Sequence, residues 1–363
     1  MTEVLSRRAV NRATLTRQFL LERTERPVAD VVTHLVGLQA QTSHTWYTGL
    51  WSRIAGFRPE QAADLLLDRD LVRMALMRST IHLVTAADAL ALRPLVQPAL
   101  DRDLFHNHTH GNDVWELDVD AVVAAGRAIL AERPRTNKEL GGLLHETWPD
   151  RAPAALAYVV RCRVPLVQVP PRGLWGRSGP IAHTSAETWL GEPVTDRMSA
   201  GELVRRYLAA FGPATVRDVQ TWARLSRLRE VVEELPLVRF ADEDGQELFD
   251  LPDAPRPDED TPAPVRFLYD FDNLLLSYAD RRRVVTDEVK ARQYAPHGPV
   301  PQFFLVDGLT AGDWRVERTK ERVTLELRPF HRLPDAEEAE REGSALLKFL
   351  APDAPARDVR ILR

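Results

Sequence analysis

From the N-terminus to about residue 235, apolar positions recur mostly at three- and four-residue spacing, the signature of helices with one buried face. Val28, Val31, Val32, Leu35 and Leu38 predict an amphipathic helix over residues 26–38, with Pro27 suited to its first turn. Trp46, Leu50 and Ile54, flanked by Tyr47 and Trp51, predict a second, buried helix, so Gln39-Ala40-Gln41 must belong to a short connection. In an extended connection residues two apart face the same way, which would present both carboxamides at one cleft while Ala40 tucks inward. Ala62, Ala63, Leu66 and Leu67 mark a further helix over 59–69. After residues 71–77, Thr80 and His82 alternate with Ile81 and Leu83, as on a half-buried strand. Helices closed by such a strand predict a winged-helix unit over residues 1–112.

The same order recurs twice. Asp118 caps a helix reaching 132, Thr136 opens another with Leu140, Leu143 and Leu144 inward, and 153–163 forms a third. Residues 165–169 then read as a strand, 170–173 as a turn, and Leu174-Trp175-Gly176 as the start of the returning strand, giving a second unit over 113–195. Ser199, Thr215 and Ser226 cap the helices of a third unit over 196–252, whose strands at 237–241 and 247–251 meet across the Asp244-Gly245 turn. Residues 253–264, rich in proline and acid, read as a linker. Beyond it, 265–268, 302–306, 309–317 and 323–327 are short β-type segments, and a helix over 336–350 closes the chain. The expected fold class is mainly α with β wings (α+β): three tandem winged-helix units followed by a C-terminal antiparallel β-containing region over 265–363.

Composition narrows the setting. At 363 residues the chain exceeds one comfortable core, and its 44% hydrophobic content suits a globular protein. No apolar run approaches the ~20 residues of a membrane helix, and the first residues lack the continuous apolar stretch of a signal peptide. One cysteine, Cys162, excludes an internal disulfide framework and a cysteine-rich zinc site. A cytosolic protein with no membrane association is expected. His106, His108 and His110 alternate like a metal cluster but have no cysteine or acidic partner of metal-site type, which favours a loop and no metal.

A formal charge of −5 argues against DNA until its distribution is seen. Residues 242–260 hold nine acids and one arginine, a local −8, which leaves +3 on the rest of the chain. Arg281, Arg282 and Arg283, followed by Lys290 and Arg292, form the densest basic point and a candidate phosphate clamp. Arg172 and Arg177 fall in or near the second wing, and Arg78, Thr80 and His82 belong to the first strand region. Asp272 and Asn273 are placed to cap a helix over 274–280 or to lean into a cleft. Arg78, Thr80, His82, Arg172, Arg177, Asp272, Asn273, Arg281, Arg282 and Arg283 are the candidate DNA contacts, and Gln39 and Gln41 are the candidate catalytic pair. The acidic tip of the third wing would repel phosphate, so that unit is expected to act as a scaffold.

Five stretches in order carry a resemblance: HLVGLQAQTSHTWYTGLWSRI (34–54), RSTIHLVTAAD (78–88), VPPRGLWGRSG (169–179), FDNLLLSYADR (271–281) and FLVDGLTAGDW (304–314). Together they resemble the winged-helix DNA glycosylases of the AlkZ and YcaQ type. In that family a Gln-apolar-Gln signature lies in the active site and a Gln-apolar-Asp version marks the sister branch. Gln39-Ala40-Gln41 matches the first form, that of the crosslink-unhooking branch. The resemblance implies monofunctional excision of N7-alkylguanine or N3-alkyladenine from double-stranded DNA, including bulky adducts and interstrand crosslinks. No cofactor follows from it, and a monomer in the bacterial cytosol or nucleoid is expected.

The residue chemistry leads to the same substrates independently. Glutamine has no useful pKa and acts only by orienting water and offering a dipole. Such weak groups suit a bond that is already weak, as in a cationic alkylated purine that leaves as a neutral base. The four lysines, Lys138, Lys290, Lys320 and Lys348, do not flank the glutamines, which speaks against lyase chemistry. The competing expectation is a non-catalytic winged-helix transcription regulator, because winged helices most often bind DNA without chemistry.

Overall fold

The computed structural model describes residues 2–362 apart from 107, 293 and 295–297. Helices begin where short polar side chains precede an apolar period. The Asp118 carboxylate accepts from Ala121 N–H before the Val119–Glu132 helix, and Thr136 and Glu139 close a capping box before Asn137–His145. Ser199 and Thr215 do the same for Ala200–Phe211 and Val216–Ala223. Pro153–Arg163 and Ala336–Leu350 occupy the expected positions.

Several expectations are corrected. The helix expected over 26–38 spans only Val28–His34, because Val36 and Gly37 adopt left-handed backbone (φ 53° and 87°) and Leu38–Gln39 becomes a strand. Gly37 is required there, since a Cβ would sit 2.8 Å from Leu83 O. Ser226 does not cap Leu228–Glu233; the first N–H of that helix goes to Gln220 Oε1 at 3.0 Å. His106 ends the Gln97–His106 helix and is not in a loop. After Leu166–Gln168 the chain turns through 170–176, and the returning strand is Ala182–Ser185.

The architecture is mixed α+β, with three sheets among the described residues. The hairpins expected as two separate wings join edge to edge, Arg73 opposite Gln168 and Met74 opposite Val167. The result is one six-stranded sheet in the order Leu38–Gln39, Ile81–Thr85, Leu71–Ala75, Leu166–Gln168, Ala182–Ser185, Arg135–Thr136. Val238–Asp242 pairs with Glu247–Asp250 and takes the N-terminal Val4–Leu5 as a parallel neighbour. In the C-terminal sheet an added strand, Arg357–Ile361, lies parallel to Val323–Pro329, so the final helix does not close the chain. That helix covers the sheet with Ala339, Leu346 and Leu347 against Phe304, Leu325 and Leu327. No described helix is long and apolar enough to cross a membrane.

Buried ion pairs tie distant segments together. Residues 253–264 form a fastened strap, not a free linker: Arg12 donates to Thr261 O at 2.7 Å and Arg8 to Glu259 O at 2.8 Å. Arg17 meets Asp250 at 2.6 and 2.8 Å. Arg53, on the Trp46–Arg53 helix, meets Asp272 at 2.7 and 2.8 Å, and both side chains are almost wholly removed from solvent. Removing one partner of such a pair leaves a desolvated charge alone. Asp272→Ala should therefore lower unfolding free energy by about 3–5 kcal/mol in urea titrations. An unchanged midpoint would refute a structural role for the pair.

Candidate active site

The glutamine segment lies at the edge of the six-stranded sheet, where Leu38 pairs with Leu83 and Gln39 with His82. One residue further on, the ladder opens. Ala40 N–H donates to Ile81 O at 2.7 Å, but the reciprocal partners are exchanged: Ile81 N–H goes to Gln41 Oε1 (3.2 Å), and Ala40 O takes Arg73 Nη2 (2.8 Å). The Gln41 carboxamide thus stands in for a backbone acceptor at an exposed mouth, while Ala40 is buried as expected. Gln39 is only 4% exposed, which corrects the expectation that both glutamines lie outside the core.

The Asp270-to-Asn273 stretch clamps this segment from behind. Asp270 accepts from Thr42 and Thr45 hydroxyls at 2.5 and 2.6 Å, holding the turn after Gln41. Asp272 caps Leu274 N–H and holds Arg53. Asn273 donates to Gly37 O at 2.6 Å and accepts Gln39 N–H at 3.2 Å, bracketing Leu38 as a neighbouring strand would.

Side chains directly opposite in an antiparallel pair share a face, so Gln39 and His82 are neighbours. Arg78 joins them, donating from Nη2 to Gln39 Oε1 at 2.5 Å and from Nη1 to Trp222 O at 2.9 Å. It is aimed by a strained turn in which Arg78 and Ser79 both adopt positive φ (58° and 60°), at a cost of about 1–3 kcal/mol each. Because arginine only donates, the atom it meets must be the carboxamide oxygen, which leaves the Gln39 amide N–H groups as the free end. Among the described residues Arg73 and Arg78 form no ion pair with a carboxylate. Burial lowers each to about 10, and both stay charged at neutral pH.

His82 is 1% exposed. Its Nδ1 lies 2.9 Å from Thr80 O, an acceptor, so Nδ1 carries the proton and Nε2 presents a bare lone pair. Burial, then the charge of Arg78, pushes the imidazole down to about 3.

The other predicted contacts divide. Arg177 is exposed on the 170–179 loop, where Arg172 donates to Gly179 O at 3.2 Å; Thr80 closes the hairpin through Met77 O. The arginine triplet is split. Arg281 is exposed, Arg282 is held by Asp280 (2.5 Å) and Asp244 (2.7 Å), and Arg283 is buried against Pro213 O and the Tyr278 ring. Asp272, Asn273 and Arg283 thus face the interior, and their neighbours are backbone and buried side chains instead of a DNA-facing surface. Sequence reasoning missed Arg73, whose signal was a single charge inside the apolar run Leu71-Val72-Arg73-Met74-Ala75.

Two buried imidazoles make stability depend on pH. His82 and His183, the latter pushed to about 4 by burial and then by Arg161 and Arg73, stay neutral in the fold but protonate below about 6.5 when unfolded. A depressed folded pKa means the unfolded chain binds more protons, so stability falls as pH drops. Between pH 7.5 and 5 each should cost about 2 kcal/mol. Urea midpoints at the two pH values should show the loss, and His183→Asn should shrink it; an equal loss in the variant would count against this assignment.

A model of the AlkZ-like DNA glycosylase family matches residues 32–349, taking in the glutamine segment, the Arg78 turn and the 270–273 clamp. An interstrand DNA cross-link repair glycosylase of Streptomyces sahachiroi is 27% identical over 342 residues, 88% of this chain and 89% of that protein. The solved structure of the Streptomyces sahachiroi DNA glycosylase AlkZ aligns with a TM-score of 0.80 at 21% identity, over 99% of this chain and 100% of that one, which establishes the common fold. The family expected from five motifs is the family found, and this chain belongs to the AlkZ-like DNA glycosylases.

Proposed function

We propose that this chain hydrolyses the N-glycosidic bond of cationic alkylated purines, N7-alkylguanine and N3-alkyladenine, in double-stranded DNA, with Gln39 and Gln41 holding the attacking water. The observation that carries the reading is the pair of carboxamides two residues apart, each with its oxygen engaged from behind, Gln39 by Arg78 and Gln41 by Ile81 N–H. Neither is bonded to a carboxylate or an ammonium group. Fixed neutral dipoles supply positioning and modest charge stabilisation, and no proton donor for the leaving base. That chemistry suits a base whose alkylation already makes it a good leaving group.

Arg78 does not oppose this. Its charge meets Gln39 through the carboxamide, polarising the amide N–H groups toward the water. The name of the curated relative, an interstrand cross-link repair glycosylase, supports bulky and crosslinked adducts as substrates of this chain too.

The test is single-turnover release of N7-methylguanine from duplex DNA, read as strand cleavage at the abasic site. Gln39→Ala and Gln41→Ala should each slow release by at least about tenfold, the scale of losing one preorganised polar contact. Gln41→Ala frees Ile81 N–H at the exposed mouth, where water can replace the lost acceptor, and should lower the melting temperature less than Gln39→Ala, which strands buried Arg78. Full activity in either variant would remove that glutamine from the mechanism. If neither wild type nor variants release the methylated base or unhook a crosslink, the proposal fails.

A further inference from the structure

Among the described residues the site holds three buried polar atoms without a partner, the donors Nε and Nη1 of Arg73 and one acceptor, His82 Nε2, which alone faces Gln39. His82 Nε2 is buried and has no hydrogen-bond partner, although it lies on the Gln39 face of the sheet and beside Arg78. A buried acceptor left unpaired is costly, so an unpaired one beside a catalytic dipole points to a partner that arrives during turnover. The tautomer is set by Thr80 O, which forces the proton onto Nδ1 and the lone pair onto Nε2. Gln39 offers the complementary group, since Arg78 occupies its oxygen and leaves its N–H groups free. A donor and an acceptor on opposed residues of one strand pair match the two sides of a water molecule.

We infer that His82 Nε2 is a third holder of the attacking water, accepting one of its hydrogens while Gln39 donates to one of its lone pairs and the remaining lone pair of Gln41 Oε1, beside Ile81 N–H, accepts the other hydrogen. The inference rests on the glycosylase reading above. In the step itself the C1′–N bond breaks, its electron pair goes to the purine, and the formerly cationic base departs neutral. The second lone pair of the water forms the C1′–O bond. The resulting oxonium loses its proton to Nε2, from which it passes to solvent. An imidazole at about 3 is a weak base, yet sufficient for so acidic an oxonium, and it stays unprotonated and ready across the physiological range. Among the groups around it, Arg78 is permanently charged at these pH values, and the phenols of Tyr207 and Tyr269, which face Arg78, are raised well above their ordinary value by burial.

His82→Asn keeps a donor for Thr80 O and removes the distal nitrogen, whereas His82→Gln places a polar atom where Nε2 was. In single-turnover excision of N7-methylguanine, His82→Asn should be slower by about tenfold, the scale of one lost hydrogen bond. Affinity for duplex carrying an abasic-site analogue should stay within twofold, and His82→Gln should recover part of the rate. The wild-type rate should be flat between pH 5.5 and 8.5. Four results would overturn the inference: a wild-type rate in His82→Asn, equal rates in the Asn and Gln variants, a rate loss matched by lost DNA affinity, or a wild-type profile falling with a midpoint near 6.5. A wild type that releases no base at all is a different failure, that of the glycosylase reading, and takes this inference down with it.

Discussion

The buried pair between Arg53 and Asp272 is the constraint on which the site depends. A guanidinium and a carboxylate taken out of water hold each other only in good geometry, and here two parallel contacts supply it. The pair fixes the Trp46–Arg53 helix against the 270–273 stretch. From that anchor Asp270 reaches the turn after Gln41, and Asn273 reaches the backbone on either side of Leu38. The glutamine segment is therefore held by hydrogen bonds from a part of the chain more than two hundred positions away.

Fusion of two hairpins into one sheet does the rest. An isolated wing would be a mobile two-stranded ribbon. Joined through Arg73 and Gln168, the strands form a broad floor with the glutamine strand at its edge. The edge is where a ladder can be interrupted without unravelling the sheet. Ala40 N–H still donates to Ile81 O, but the two ends of the reciprocal bond are taken up by Gln41 and Arg73, and the strand becomes a presenting loop at that point.

The polarity of the site follows from the same placement. Arg78 places donors on the Gln39 carboxamide oxygen and Trp222 O and Arg73 places one on Ala40 O, so the charge nearest Gln39 reaches it through a neutral dipole. The histidine is kept neutral by burial and by one of those arginines. Carboxamide dipoles offer no proton to a leaving base, which is the physical ground for the proposed preference for bonds already weakened by alkylation.

Much of this was legible in the sequence wherever the information is local. Caps at Asp118, Thr136, Ser199 and Thr215, the helices Pro153–Arg163 and Ala336–Leu350, and the strands of the C-terminal sheet follow from periodicity and short polar side chains within a few residues. The Gln39-Ala40-Gln41 segment was legible for the same reason, lying between two strongly apolar stretches. What local pattern does not encode is which partner a charge finds. Asp272 caps its helix as the local sequence suggested, but Asp272, Asn273 and Arg283, also read as DNA contacts, are turned inward by groups far along the chain, Arg53, Gly37 and Pro213 in turn. Merging of the wings, the parallel strand Arg357–Ile361 and the bare nitrogen of His82 were likewise decided only in three dimensions. Hydrophobic spacing specifies which face of an element is buried, and the tertiary fold alone specifies what waits on the other side.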